Sequence, residues 1–319
     1  MKQRAAGSGR RAAKNCIGCR LPAARCLLFL LVLPLAACQP KPLPVYTGPT
    51  STLEDVVARI NARNVQIPTL WARQDFDGDI VDDKGNSHSV SARGVILYRA
   101  PHELRIVADN EFGPIFEMGA TDEFYWLKVI PQMDTLWWGK MKNAGKPCAG
   151  AMPIRPDLII DVLAVGLIDS NLLHEPYTVM RFNNDADAYM LDSLIRGPDR
   201  MLVQKEVWYD RRTLLPGLVL LFDANGRVVL QAHLENYQAL PMDGVPPDRW
   251  PQIATVYRLR FPDTGSSMTF SLSQQALTKN GVPRAGVIHL PNLNNPGVKN
   301  VIQVDAACDQ AETPAAPPR

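Results

Sequence analysis

Five histidines are the first residues to weigh for chemistry: His88, His102, His174, His233 and His289. None sits in a His-Glu-x-x-His array or any other close metal-ligand spacing. His233 alternates with Ala232 and Leu234, which places it on the solvent side of a strand. No Gly-x-Ser-x-Gly elbow is present, and no glycine-rich phosphate loop ending in lysine. The acidic run Asp75-Phe76-Asp77-Gly78-Asp79 invites comparison with calcium loops. Counting from Asp75, however, position six is Ile80 and position twelve is Asn86, where such a loop needs Gly and Glu. The alternation instead predicts the solvent face of a strand, with an incidental surface calcium site as the alternative. Trp137-Trp138 puts one indole on each side of a strand, as packing or as a ligand or membrane contact. The sequence therefore points to no catalytic residue, no metal site and no cofactor, and the expectation is a protein that is not an enzyme.

The cysteines carry more information. Residues 1–37 hold seven Lys/Arg and no Asp/Glu, followed by the apolar run 27–33 and Leu35-Ala36-Ala37-Cys38. A basic start, a short apolar stretch and small residues at a cut site make a secretory signal. The run is shorter than the roughly 20 apolar residues a membrane-crossing helix needs. Leu-Ala-Ala-Cys resembles the lipobox of bacterial lipoproteins, which implies cleavage before Cys38 and acylation there. Several acyl chains anchor stably where one does so only marginally. Gln39, not Asp, follows the cysteine, so the expected location is the bacterial envelope, on the outer membrane facing the periplasm. Cys16, Cys19 and Cys26 leave with the leader. Cys148 and Cys308 remain, as one disulfide in an oxidising compartment or as two separate thiols. Without the leader, 27 basic residues face 32 acidic ones, a net charge of −5. Nothing basic enough for a nucleic-acid partner remains.

These residues need elements to position them. Residues 38–50 contain Pro40, Pro42, Pro44 and Pro49, an extended spacer beyond the anchor. Leu53, Val56, Val57 and Ile60 fall at i, i+3, i+4 and i+7, with Glu54 and Asp55 in the first turn, which predicts an amphipathic helix. From 69 to about 140 the period is two, as in Leu104, Ile106 and Ala108. The turns are too short for parallel crossovers, so this stretch is an antiparallel meander. Pro156 opens a second helical segment that is apolar nearly all round, including Ile159 and Leu163. Strands follow at 202–209, 217–222, 228–237, 255–261 and 267–273. One face of the last three carries Leu230, Leu234, Tyr257, Leu259, Phe261, Met268 and Phe270. A one-sided sheet must bury such a face, and the two helices are the available covers. The expected organisation is a signal peptide over 1–37, anchor and spacer over 38–50, one domain over 51–308 and a disordered tail over 309–319.

The stretch from Glu206 to Gly226, with Asp210-Arg211-Arg212-Thr213 turning into Leu215-Pro216 and Asp223-Ala224-Asn225-Gly226 turning again, resembles the periplasmic lipoprotein carriers and outer-membrane lipoprotein receptors of the Lol system. The order of helix, long meander, central helical segment and further strands is similar too, over about 51–275. The resemblance implies an α+β fold in which an incomplete, half-open antiparallel β-barrel curls around helices and encloses an apolar cup for acyl chains. The expected cup residues are Leu230, Leu234, Tyr257, Leu259, Phe261, Met268 and Phe270, with Ile159 and Leu163 of the central helix. The expected partners are the membrane, through the Cys38 anchor, and acyl chains or lipoproteins. A structural or assembly lipoprotein whose cup is merely packed core is the competing expectation.

Overall fold

A computed structural model describes residues 48–82, 84–111, 113–130, 133–146, 148–197, 199–276, 286–294 and 296–311. The expected signal peptide and the Cys38 anchor lie outside the described residues. Helix α1 (Leu53–Asn64) begins where Thr52 caps it, its side chain accepting from the Asp55 amide at 3.3 Å. Glu54 and Asp55 sit at the positive end of the helix dipole and Arg63 at the negative end. Val56, Val57 and Ile60 are buried, as their spacing predicts.

The rest is dominated by one sheet of 14 strands. A first meander runs through β1 (Thr69–Val81), β2 (Ser87–Arg99), β3 (Glu103–Asn110), β4 (Gly113–Ala120), β5 (Phe124–Val129) and β6 (Thr135–Lys140). A second runs through β7 (Tyr177–Asn183), β8 (Ala188–Arg196), β9 (Met201–Asp210), β10 (Pro216–Phe222) and β11 (Val228–Glu235). After a two-stranded side ladder of β12 (Gln238–Ala239) and β13 (Gln252–Ile253), strands β14 (Val256–Phe261) and β15 (Ser266–Ala276) join the meanders. β14 pairs with β11 and β15 pairs with β1, all antiparallel. Phe76 of β1 is the register partner of Phe270 on β15, and its ring also stacks on Phe116 of β4 at 4.6 Å. The sheet curls but does not close; its edges are β7 and the short β16 (Asn300–Gln303). The fold is thus mostly β, a large curled sheet left open, and the helical part of the expected α+β class is small. Among the described residues helices are few and short, and β7, β8 and β16 lie outside the strands that the sequence pattern predicts.

Helix α2 (Pro156–Leu163) starts with Pro156 in its first turn and stops at Ala164, which turns left-handed at φ 53°. It lies against β3, β4 and β5 from one half of the sheet and β10 from the other. A helix that is apolar apart from Asp157 and Asp161 can sit there because the curl supplies apolar surface on both sides. Two clusters of buried residues result. The larger holds Tyr125, Leu127, Trp137 and the α2 residues on the concave side. The smaller holds Trp126 and Leu136, with Trp138 against them, on the opposite face. Strand alternation separates the two indoles of Trp137-Trp138 in this way.

The smaller cluster is covered by chain from the C-terminal region, through Ile288, Leu290, Leu293 and Val298. That region then forms β16, parallel to β6, and helix α3 (Ala306–Ala311). Buried Asp305 accepts hydrogen bonds from the Lys140 amide at 3.0 Å and Asn143 Nδ2 at 2.8 Å. A disulfide joins Cys148 to Cys308, with α-carbons 5.1 Å apart. The stretch 139–155 and the chain from 300 to 309 are therefore bound to each other.

Candidate functional site

The structure brings the seven strand residues expected to line a cup into one cluster with Ile159 and Leu163. Leu230 and Leu234 lie on β11, Tyr257, Leu259 and Phe261 on β14, Met268 and Phe270 on β15, and all nine are buried in the larger core. Leu234 faces Tyr257 across the ladder, Tyr257 faces Phe270, and Leu259 faces Met268. These side chains pack against one another. Among the described residues the Tyr257 hydroxyl has no hydrogen-bond partner, and burial raises its pKa far above the ordinary tyrosine value.

Open space lies one step further along the curl. A cavity of about 320 Å³ sits between α2, the loop that follows it, and strands β7 to β9. Its apolar wall includes Ile160, Ile168, Leu191 and Val207. Leu191 and Val207 are cross-strand partners on β8 and β9, as are Ser193 and Lys205. The loop over the cavity is pinned to α1: Asn61 Nδ2 donates to the Ile168 carbonyl at 2.7 Å and Asn64 Nδ2 to the Gly166 carbonyl at 2.7 Å. Beside these pins the surface is apolar where water would favour polar groups. Val65 is 62% exposed, Leu167 63% and Leu173 84%.

One ion pair marks the polar end of the cavity. Lys205 Nζ donates to Asp161 Oδ1 of α2 at 2.5 Å. Burial works against the Lys205 ammonium, but the Asp161 charge and hydrogen bond outweigh it, so its pKa stands above the ordinary lysine value. Tyr209, also on the wall, is pushed up by burial and pulled back by the charges of Arg63 and Lys205. Burial, with a contribution from Asp161, pushes the hidden Tyr98 up to about 12. Neutral phenols and a protonated amine are therefore the forms present near pH 7.

Sequence reasoning missed this site because β7 and β8 were not read as strands. A usable signal existed on β9, where Lys205, Val207 and Tyr209 alternate with Glu206 and Trp208. The other candidates fall as expected: Asp75, Asp77 and Asp79 face solvent on β1, with Ser91 donating to Asp77 at 2.7 Å and Ser89 to Asp79 at 2.6 Å. His233 is exposed beside Gln231. His102 lines the cavity and lies 3.1 Å from Asp122. Among the described residues, no three His, Cys, Asp or Glu side chains converge as metal ligands would, and no helix is long and apolar enough to cross a membrane.

No protein-family model and no curated protein matches the chain. Solved structures similar to it include a LolA superfamily protein and a DUF1329 family protein. A LolA superfamily protein from Nitrosomonas europaea is 11% identical, with a TM-score of 0.40 over 70% of this chain and 93% of that one. A DUF1329 family protein from Desulfovibrio piger is 14% identical, with a TM-score of 0.43 over 74% of this chain and 95% of that one.

Proposed function

We propose that this protein is a lipid-anchored bacterial envelope protein, held through Cys38 on the outer membrane facing the periplasm. In this reading it captures an acyl chain of a lipoprotein or other amphiphile as a carrier or receptor. The observation that carries the reading is the cavity beside α2. Its walls are mainly apolar, one end is polar, and exposed leucines stand on the adjoining loop. At about 320 Å³ it falls at the small end of the roughly 300–1,000 Å³ typical of ligand pockets. It suits one chain better than several. Each methylene taken from water would contribute about 0.8 kcal/mol.

In this reading the cup is the cavity beside α2, one step along the curl from the strand residues that the sequence singles out. Ile159 and Leu163 lie on the helix whose Ile160 and Asp161 line the cavity, while the β11, β14 and β15 residues form packed core. That packing is also what a purely structural lipoprotein would have. Native mass spectrometry separates the two: the full chain carrying Cys38→Ser, purified from cells without detergent, should retain an acylated molecule. A folded protein that carries none, and takes up no uncharged fluorescent probe such as N-phenyl-1-naphthylamine, would leave the structural role.

A further inference from the structure

The polar end of the cavity has a composition that selects among acyl ligands. Lys205 and Ser193 are cross-strand partners whose side chains both line the cavity. Asp161 reaches them from α2, and its carboxylate takes one ammonium hydrogen at 2.5 Å. Among the described residues, no other hydrogen-bond partner meets the Lys205 ammonium or the Ser193 hydroxyl. Two N–H donors and one O–H donor are therefore free to meet an oxygen acceptor where the apolar wall ends.

The charge at that spot is already balanced. The Lys205 side chain is 32% exposed and that of Asp161 44%, so solvent screens the pair only in part. A ligand oxygen with a full negative charge would approach the ammonium but also the carboxylate bound to it. It would bring an uncompensated charge into a half-buried site, where desolvation and like-charge repulsion both oppose it. A neutral carbonyl oxygen meets neither penalty and still accepts from the ammonium, a hydrogen bond strengthened by the donor's charge.

We infer that the cavity recognises a single acyl chain joined through an uncharged carbonyl, an ester or an amide, and discriminates against the free carboxylate of a fatty acid. The inference rests on the acyl-chain reading above and adds the head-group class. Asp161 is the specificity-determining residue, because it cancels the charge that would otherwise attract a fatty acid.

The test uses the full chain with Cys38→Ser near neutral pH. Methyl dodecanoate and dodecanoate compete for the uncharged fluorescent probe N-phenyl-1-naphthylamine. The ester should displace the probe at least about tenfold more tightly than the acid, a difference of about 1.4 kcal/mol. Asp161→Asn leaves Lys205 uncompensated and should reverse the order, and Lys205→Met should bring the two ligands together. If the unsubstituted cavity binds the acid as well as the ester, the head-group inference is overturned and acyl binding stands. If neither ligand displaces the probe, the acyl-chain reading falls with it. The first comparison needs no substitution in the cavity, so the folding of the variants does not decide the outcome.

Discussion

Breaking the Cys148–Cys308 bridge tests how the C-terminal region is held. The two cysteines are 160 residues apart in sequence, so the bridge removes a large loop from the freedom of the unfolded chain. The chain-entropy relation gives about 5 kcal/mol for a loop of that size. The figure is an upper one, because unfolded chains keep some structure. Without the bridge, the β16 ladder, the hydrogen bonds to Asp305 and the Lys140–Asp309 ion pair still hold the segment in place. Cys148→Ser with Cys308→Ser is therefore expected to cost about 3–5 kcal/mol while leaving the fold intact. At roughly 2–4 °C per kcal/mol for a chain of this size, the melting temperature falls by at least about 6 °C. Urea titration followed by tryptophan fluorescence is the assay. Trp126 is fully buried beneath Ile288, so loosening of the segment should shift the indole emission to the red before global unfolding. A double variant within about 1 kcal/mol of the parent, with unchanged emission, would refute the reasoning.

Three further expectations follow from particular residues. A Cβ at Gly94 would sit 1.7 Å from the Val107 carbonyl oxygen, so Gly94→Ala should lose more than about 3 kcal/mol or fail to fold, by chemical denaturation. Burial alone would raise the pKa of Asp305, but the hydrogen bonds from Asn143, the Lys140 amide and Gln303 bring it below the ordinary value. A carboxyl with a lowered folded pKa stabilises above its unfolded value, near 4, and that contribution is lost as pH falls through the folded pKa. Thermal melts of Asp305→Asn between neutral and acidic pH should show a shallower acid decline than the parent, and parallel curves would count against this assignment. Cys38→Ser should release the protein from membranes or leave it unprocessed, and an intact mass showing an unmodified Cys38 in the parent would end the lipid-anchor reading.

Much of the architecture follows from short-range pattern. The i, i+3, i+4, i+7 stripe of α1 and the period-two alternation from 69 to 140 are local properties, and each appears as its periodicity requires. So do the turns at Asp210 and Asp223, whose carboxylates accept from backbone amides two to four residues on. Counting cysteines narrowed the bridge to a single possible pair. Tertiary structure decided the rest. β7 lacks clean alternation: Val179 and Phe182 are exposed at the edge, and Arg181 lies over Asp192 and Glu206. Whether such a segment is a strand depends on the strand beside it. The expected cup and the observed cavity differ for a related reason. Alternation along one strand says which side chains point inward, as it did for Leu230, Tyr257 and Phe270. It says nothing of how far away the opposite wall is. Across β11, β14 and β15 the inward side chains are buried in one cluster, whereas between α2 and β7 to β9 open space remains. That distance is set by the curl of fourteen strands and the seat of one short helix, quantities spread over the whole chain and written in no local stretch of it.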